Sequence, residues 1–107
     1  MLGPQAREAV RVLGLLVAQG RRRRGWTTTR LAEQAGISRT TLHKIESGDG
    51  SVALGTALEV AALVGVRLFD TDDGDGARVL ADRLEDRLAL LPRRVVAVDD
   101  EGLDDDF

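Results

Sequence analysis

Between Ser38 and Ser47 the chain gathers Arg39, Thr40, Thr41, His43 and Lys44, cations and hydroxyls with one carboxylate, Glu46, near the end. These side chains suit the edges of nucleic-acid bases. An arginine fork matches O6 and N7 of guanine, a lysine reaches the same atoms or a phosphate, and a threonine offers its hydroxyl, or its methyl to thymine. Spacing gives them a common side. Leu42 and Ile45 point one way on a helix, which leaves Ser38, Arg39, Thr40, His43, Lys44 and Ser47 on or near the other.

Such a face needs elements that hold it outward. Ser38 suits a helix N-cap and Gly48 the position just past the end. Upstream, Thr27 caps a helix that turns Leu31, Ala32 and Ala35 inward and stops at Gly36, with Ile37 as an apolar plug at the turn. Two short helices joined by a tight Gly turn form a helix-turn-helix. Helices this short are marginal alone and need others beneath them. A first helix over about Pro4–Arg23 carries Val10, Leu13, Leu16, Val17 and Gly20 as an apolar stripe and is closed by Gly25. A fourth, about Leu54–Val64, is apolar nearly all round, interrupted only by Thr56 and Glu59.

In that geometry the start of the second helix of the pair reaches base edges in the major groove of DNA. Ser38, Arg39, Thr40 and Lys44 are then the base-reading candidates. Arg21, Arg22 and Arg24 from the run Arg21–Arg24, with Thr27, Thr28, Thr41 and His43, are the phosphate-contacting candidates. Trp26 reads as a core plug where the first helix turns into the second.

The rest of the chain divides by composition. Residues 1–69 hold ten Arg or Lys against five Asp or Glu, whereas 70–107 hold five against thirteen. A basic body with an acidic end implies a polyanion partner for the first half and a different partner, or none, for the second. The reading is therefore a DNA-binding domain over 1–69, a hinge over 70–76, a C-terminal helix over 77–92 and an acidic, partly disordered tail over 93–107. Val66–Phe69 alternates and leaves room for one short strand or an extended leg. Leu80, Leu84, Leu88 and Leu91 line one face of the last helix, and Pro92 ends it.

Several chemistries lack their residues. There is no cysteine, which removes disulfides and thiolate sites and suits a reducing cytoplasm. His43 is the lone histidine, without the companions of a metal site or a nucleophile. The acidic stretch from Asp70 fails the calcium-loop register at Gly74, Asp75 and Ala81. No cofactor, no catalytic residue and no enzymatic activity are expected, and no apolar run is long enough to span a membrane.

Residues 13–66 resemble the Xre-type, lambda-repressor-like helix-turn-helix family. The matching pieces are "LGLLV", the basic run before "GWT", "LAEQAGIS", "TLHKIESG" and "ALEVAALVGV". The resemblance implies an all-α, five-helix DNA-binding fold and a homodimer on a near-palindromic operator. It also implies that Glu46 bonds back to an arginine of the first helix, Arg21. Thr28 stands where the family often has a DNA-contacting glutamine. "VALGTALEVAALVGVRLF", the Leu-rich helix, "LLPRRV" and the terminal "DDDF" are similar to HipB-like antitoxins. That similarity implies an autoregulating repressor that also neutralises a HipA-type toxin kinase; the alternative is a stand-alone Xre-type regulator.

Overall fold

The computed structural model describes residues 1–71 and 74–94; residues 72–73 of the expected hinge and most of the expected tail, from 95 on, lie outside the described residues. Five α-helices and one 3-10 turn follow in order: α1 (Pro4–Arg23), α2 (Thr28–Ala35), α3 (Arg39–Glu46), α4 (Leu54–Leu63), the 3-10 turn Leu68–Asp70, and α5 (Gly74–Ala89). The fold is all-α, with no strand among the described residues.

Local signals place the first four helices. Pro4 opens α1, where its missing N–H costs nothing. Thr27 accepts from the Arg30 amide at 3.0 Å to start α2, and Ser38 accepts from the Thr41 amide at 3.0 Å to start α3. Between them Gly36 is left-handed (φ 69), which lets the Ile37 amide return to the Ala32 carbonyl at 3.0 Å. That turn sets the angle between α2 and α3.

The core is aliphatic. Val17, Leu31, Leu42 and Val60 are fully buried, with Ala32, Ile45, Ala57, Ala61 and Val64 around them. Each large side chain so buried contributes about 1.5–3 kcal/mol. α1 packs on α3 and α4, α2 packs on the same two, and the 3-10 turn packs on α4. Leu16, expected on the inward stripe of α1, is 39 % exposed on the wall of a cleft beside Val64 and Val66.

Glycines let α1 come this close. A Cβ on Gly14 would collide with the Ile45 carbonyl oxygen and stand 2.9 Å from that of Glu46. A Cβ on Gly20 would lie 2.9 Å from the Val64 Cβ. The two positions are the contact points of α1 with the end of α3 and the end of α4.

Two expectations are corrected here. Val66–Phe69 forms no strand. Val66 and Leu68 pack against the core while Arg67 and Phe69 point outward, which reproduces strand alternation with no neighbouring strand to pair. Phe69 (φ 55) and Asp70 (φ 60) both sit in the left-handed region, a local strain of about 1–2 kcal/mol each. The last helix also starts within the expected hinge, at Gly74, with Asp75 in its first turn, where a carboxylate favours the positive helix end. α5 packs on none of the other helices to a comparable extent, and its residues from Asp75 to Ala89 are exposed apart from half-buried Gly76 and Leu80.

Gly14→Ala, which raises helix propensity on an open surface by roughly 1 kcal/mol, is expected here to lower stability by about 2 kcal/mol through overpacking. The readout is the urea midpoint at an unchanged slope. A midpoint equal to or above that of the parent protein would show that α1 and α3 are not in this close contact.

Candidate nucleic-acid interface

The outer side of α3 is presented because its inner side is committed. Leu42 is 0 % and Ile45 4 % exposed, while Arg39, Thr40, His43 and Lys44 are all exposed. Arg39, Thr40 and His43 line one open groove together with Thr28 from the first turn of α2 and Glu46 from the end of α3. Three donors of α3 and one hydroxyl of α2 thus share a wall, the arrangement that base edges and an adjoining phosphate require.

Lys44 stands outside that groove, on the Asp49 side of α3. Hydrogen bonds from the Ser51 hydroxyl (2.6 Å) and the Ser51 amide (2.8 Å) hold the Asp49 carboxyl below its usual range, and the nearby Lys44 charge adds to the effect. Ser38 is largely spent on its own helix. Its hydroxyl accepts from the Thr41 amide at 3.0 Å and donates to Thr41 Oγ1 at 3.0 Å, so little capacity remains for reading a base. Thr41 keeps its hydroxyl proton for an outside acceptor. Thr27 is occupied as the cap of α2.

The basic run splits in two. Arg21 is corrected from a phosphate contact to a structural residue: it is only 9 % exposed. Its Nε donates to Glu46 Oε2 at 2.7 Å, its Nη2 to Glu46 Oε1 at 3.1 Å, and its Nη1 to the Trp26 carbonyl at 3.0 Å. Hydrogen bonding to Glu46 raises the Arg21 pKa, outweighing burial. This is the pairing that the family resemblance implies. Arg24 is exposed but tethered. Its Nη1 donates to the Val64 carbonyl at 2.6 Å, so its guanidinium closes the end of α4. Arg22 and Arg23 are exposed as well.

One cation was missed from the sequence. Arg30, exposed on α2, stacks over the Trp26 ring with its guanidinium carbon 4.8 Å from the centroid, while Arg24 lies 5.9 Å from the same ring. Trp26 also packs against the core, as a plug should. The stack restricts Arg30 at a gain of about 0.5–1 kcal/mol. Its only sequence signal is an aromatic four residues before an arginine, across a helix cap, where no periodic pattern points to it.

Residues 12–72, more than half of the chain, match the protein family described as a helix-turn-helix domain. The chain belongs to that family. Comparisons with curated proteins and with solved structures return no match. The helix-turn-helix match takes in α2, α3, α4 and the end of α1, so it covers every residue of the groove, and it makes the chain a DNA-binding domain of the lambda-repressor-like all-α kind. Among the described residues no helix is long and apolar enough to cross a membrane, and no three of His, Cys, Asp and Glu gather to hold a metal ion.

Glu46→Ala leaves the Arg21 side chain, 11 % exposed, without its carboxylate. The expected loss is about 3 kcal/mol, because the remaining buried charge is unpaired. A double replacement, Arg21→Met with Glu46→Leu, is expected to recover most of it. Equal urea midpoints for the parent and Glu46→Ala would show that the pair does not hold the structure together.

Proposed function

We propose that this helix-turn-helix protein is a sequence-specific transcriptional repressor that binds a near-palindromic operator as a homodimer. α3 of each protomer enters a major groove, with the two copies of α3 about 34 Å apart. The observation that carries the reading is the outer side of α3, where Arg39, Thr40 and His43 are exposed beside Thr28. Arg39, Thr40 and Lys44 read bases in this scheme, and Ser38 serves mainly as the cap. Arg22, Arg23, Thr28, Arg30, Thr41 and His43 meet the phosphates. Glu46 also lines the groove, but its charge is neutralised by Arg21, so it does not repel the backbone.

We further propose that the protein is an antitoxin that autoregulates its operon and neutralises a HipA-type toxin kinase. Two features support this narrower reading: the similarity of residues 52–69 and the chain end to HipB-like antitoxins, and the separation of a basic body from an acidic end. Co-purification with the product of an adjacent gene tests it. If no kinase-sized partner is retained, a stand-alone regulator of the same fold is left.

Titration against operator and random duplex at two salt concentrations tests DNA binding itself. Arg39→Ala is expected to cost about 1–3 kcal/mol at the operator and to relax preference at one base position. Arg22→Ala is expected to weaken operator and random duplex alike and to lower the log–log salt slope by about 0.9. Affinity indifferent to salt in the parent protein would end the phosphate scheme, and an Arg39→Ala protein with full affinity and preference would displace the reading face from α3.

A further inference from the structure

The last turns of α1 and the end of α4 leave a cleft where residues 65–67 depart from the body. Its volume is about 340 Å³, the scale of a site for a small molecule. Leu16, Val64 and Val66 give it an aliphatic wall. Arg23, Arg24 and Arg67 stand around that wall, and no Asp or Glu lines it. Arg67 shares its charge with Asp70 at 3.6 Å, so Arg23 and Arg24 are the cations that matter for a guest.

One of these cations is held in place before any guest arrives. A Cβ on Gly65 (φ 79) would stand 2.8 Å from Arg24 Nη2 and 3.2 Å from Nη1, so the bare backbone is what lets the guanidinium lie across the turn. There Nη1 donates to the Val64 carbonyl at 2.6 Å, and the Trp26 ring lies 5.9 Å from the guanidinium carbon. Nε and Nη2 are left to donate outward, and a donor already ordered by folding loses less freedom on binding. We propose that the cleft binds a small carboxylate carrying a compact apolar body. The carboxylate accepts charge-assisted hydrogen bonds from Arg24 and Arg23, and the body lies on Leu16, Val64 and Val66. An uncharged apolar guest would desolvate the guanidiniums without pairing them, and a bare inorganic anion would leave the aliphatic wall wet. The cleft and the groove of α3 have no lining residue in common. Arg23 also belongs to the phosphate scheme above, so DNA is left out of the test.

The full chain is titrated with 2-naphthoate while its methyl NMR spectrum is followed. Saturable binding is expected, with a Kd of about 100 µM or tighter for a ligand of this size. The shifts should fall on Leu16, Val64 and Val66 and spare the exposed Leu84 and Leu88 of α5. Neutral 2-naphthamide is expected to bind at least about tenfold more weakly, because it carries no charge for the guanidiniums. Leu16→Glu, at a position exposed enough to accept it, brings a carboxylate into the cleft and should weaken naphthoate by at least about tenfold. Arg24→Gln should weaken it as well. That change also frees the Val64 carbonyl, so Arg23→Gln, at an exposed position, gives a second reading that leaves the end of α4 intact. Arg83→Gln, on α5, should leave the affinity unchanged. No saturation below about 1 mM, equal affinity for the amide, or displacement by an equal concentration of inorganic phosphate would each overturn the proposal. So would shifts confined to α5, or Arg23→Gln and Leu16→Glu proteins that bind as the parent does.

Discussion

The buried ion pair between Arg21 and Glu46 is the constraint on which the interface depends. One guanidinium holds both oxygens of a carboxylate on α3 and, with its third nitrogen, the Trp26 carbonyl just before α2. The end of α1, the start of α2 and the end of α3 are thereby tied at one point. Planar, two-pronged pairing fixes orientation as well as distance, which a lysine could not do. The hydrophobic core decides that α3 lies on the body. Leu42 and Ile45 turn one side of α3 inward, and the pair pins the end of the helix in that orientation.

The close approach of α1 is the other half of that arrangement. Gly14 admits the last carbonyls of α3, and Gly20 admits the end of α4. Gly14, Val17 and Arg21 are the buried residues of α1 and follow one another at steps of three and four. Arg21 is therefore the continuation of an apolar stripe, with a charge at its end. The pair costs desolvation and contributes little net stability over an apolar equivalent; what it adds is a single orientation for α3.

Much of the fold was legible because it is written locally. Thr27, Gly36, Ser38 and the period of Leu42 and Ile45 each act on neighbours a few residues away, and each stands where the sequence puts it. The roles of the arginines were harder to read. Four in a row look alike, yet the helix period sends Arg21 inward and leaves Arg22 exposed, while Arg24 turns to a carbonyl forty residues away. Only the register of the run against Gly14 and Val17 carried that distinction. The Val66–Phe69 alternation was real, but two inward residues on an irregular leg produce it as well as a strand does. Arg30 was invisible because its partner ring is fixed by tertiary packing.

Committing Arg21 to the body has an electrostatic consequence for the surface. The basic run does not act as a patch of four equal charges: Arg21 is neutralised by Glu46, Arg22 and Arg23 are exposed, Arg24 keeps its charge but is tethered to the Val64 carbonyl, and Arg30 is added from α2. Neutralising Glu46 within the groove wall removes the one carboxylate that would oppose a phosphate beside Arg39. Lys44 is the reverse case, since an ionised Asp49 near it draws down the local potential on that side of α3. The two flanks of the helix are therefore unequal. Arg39 faces a groove cleared of uncompensated negative charge, and Lys44 does not. In a domain whose total stability is about 5–15 kcal/mol, the same pair sets both that polarity and the attitude of α3. Folding and recognition cannot be separated at Glu46, and they part only at the exposed residues that the pair leaves facing outward.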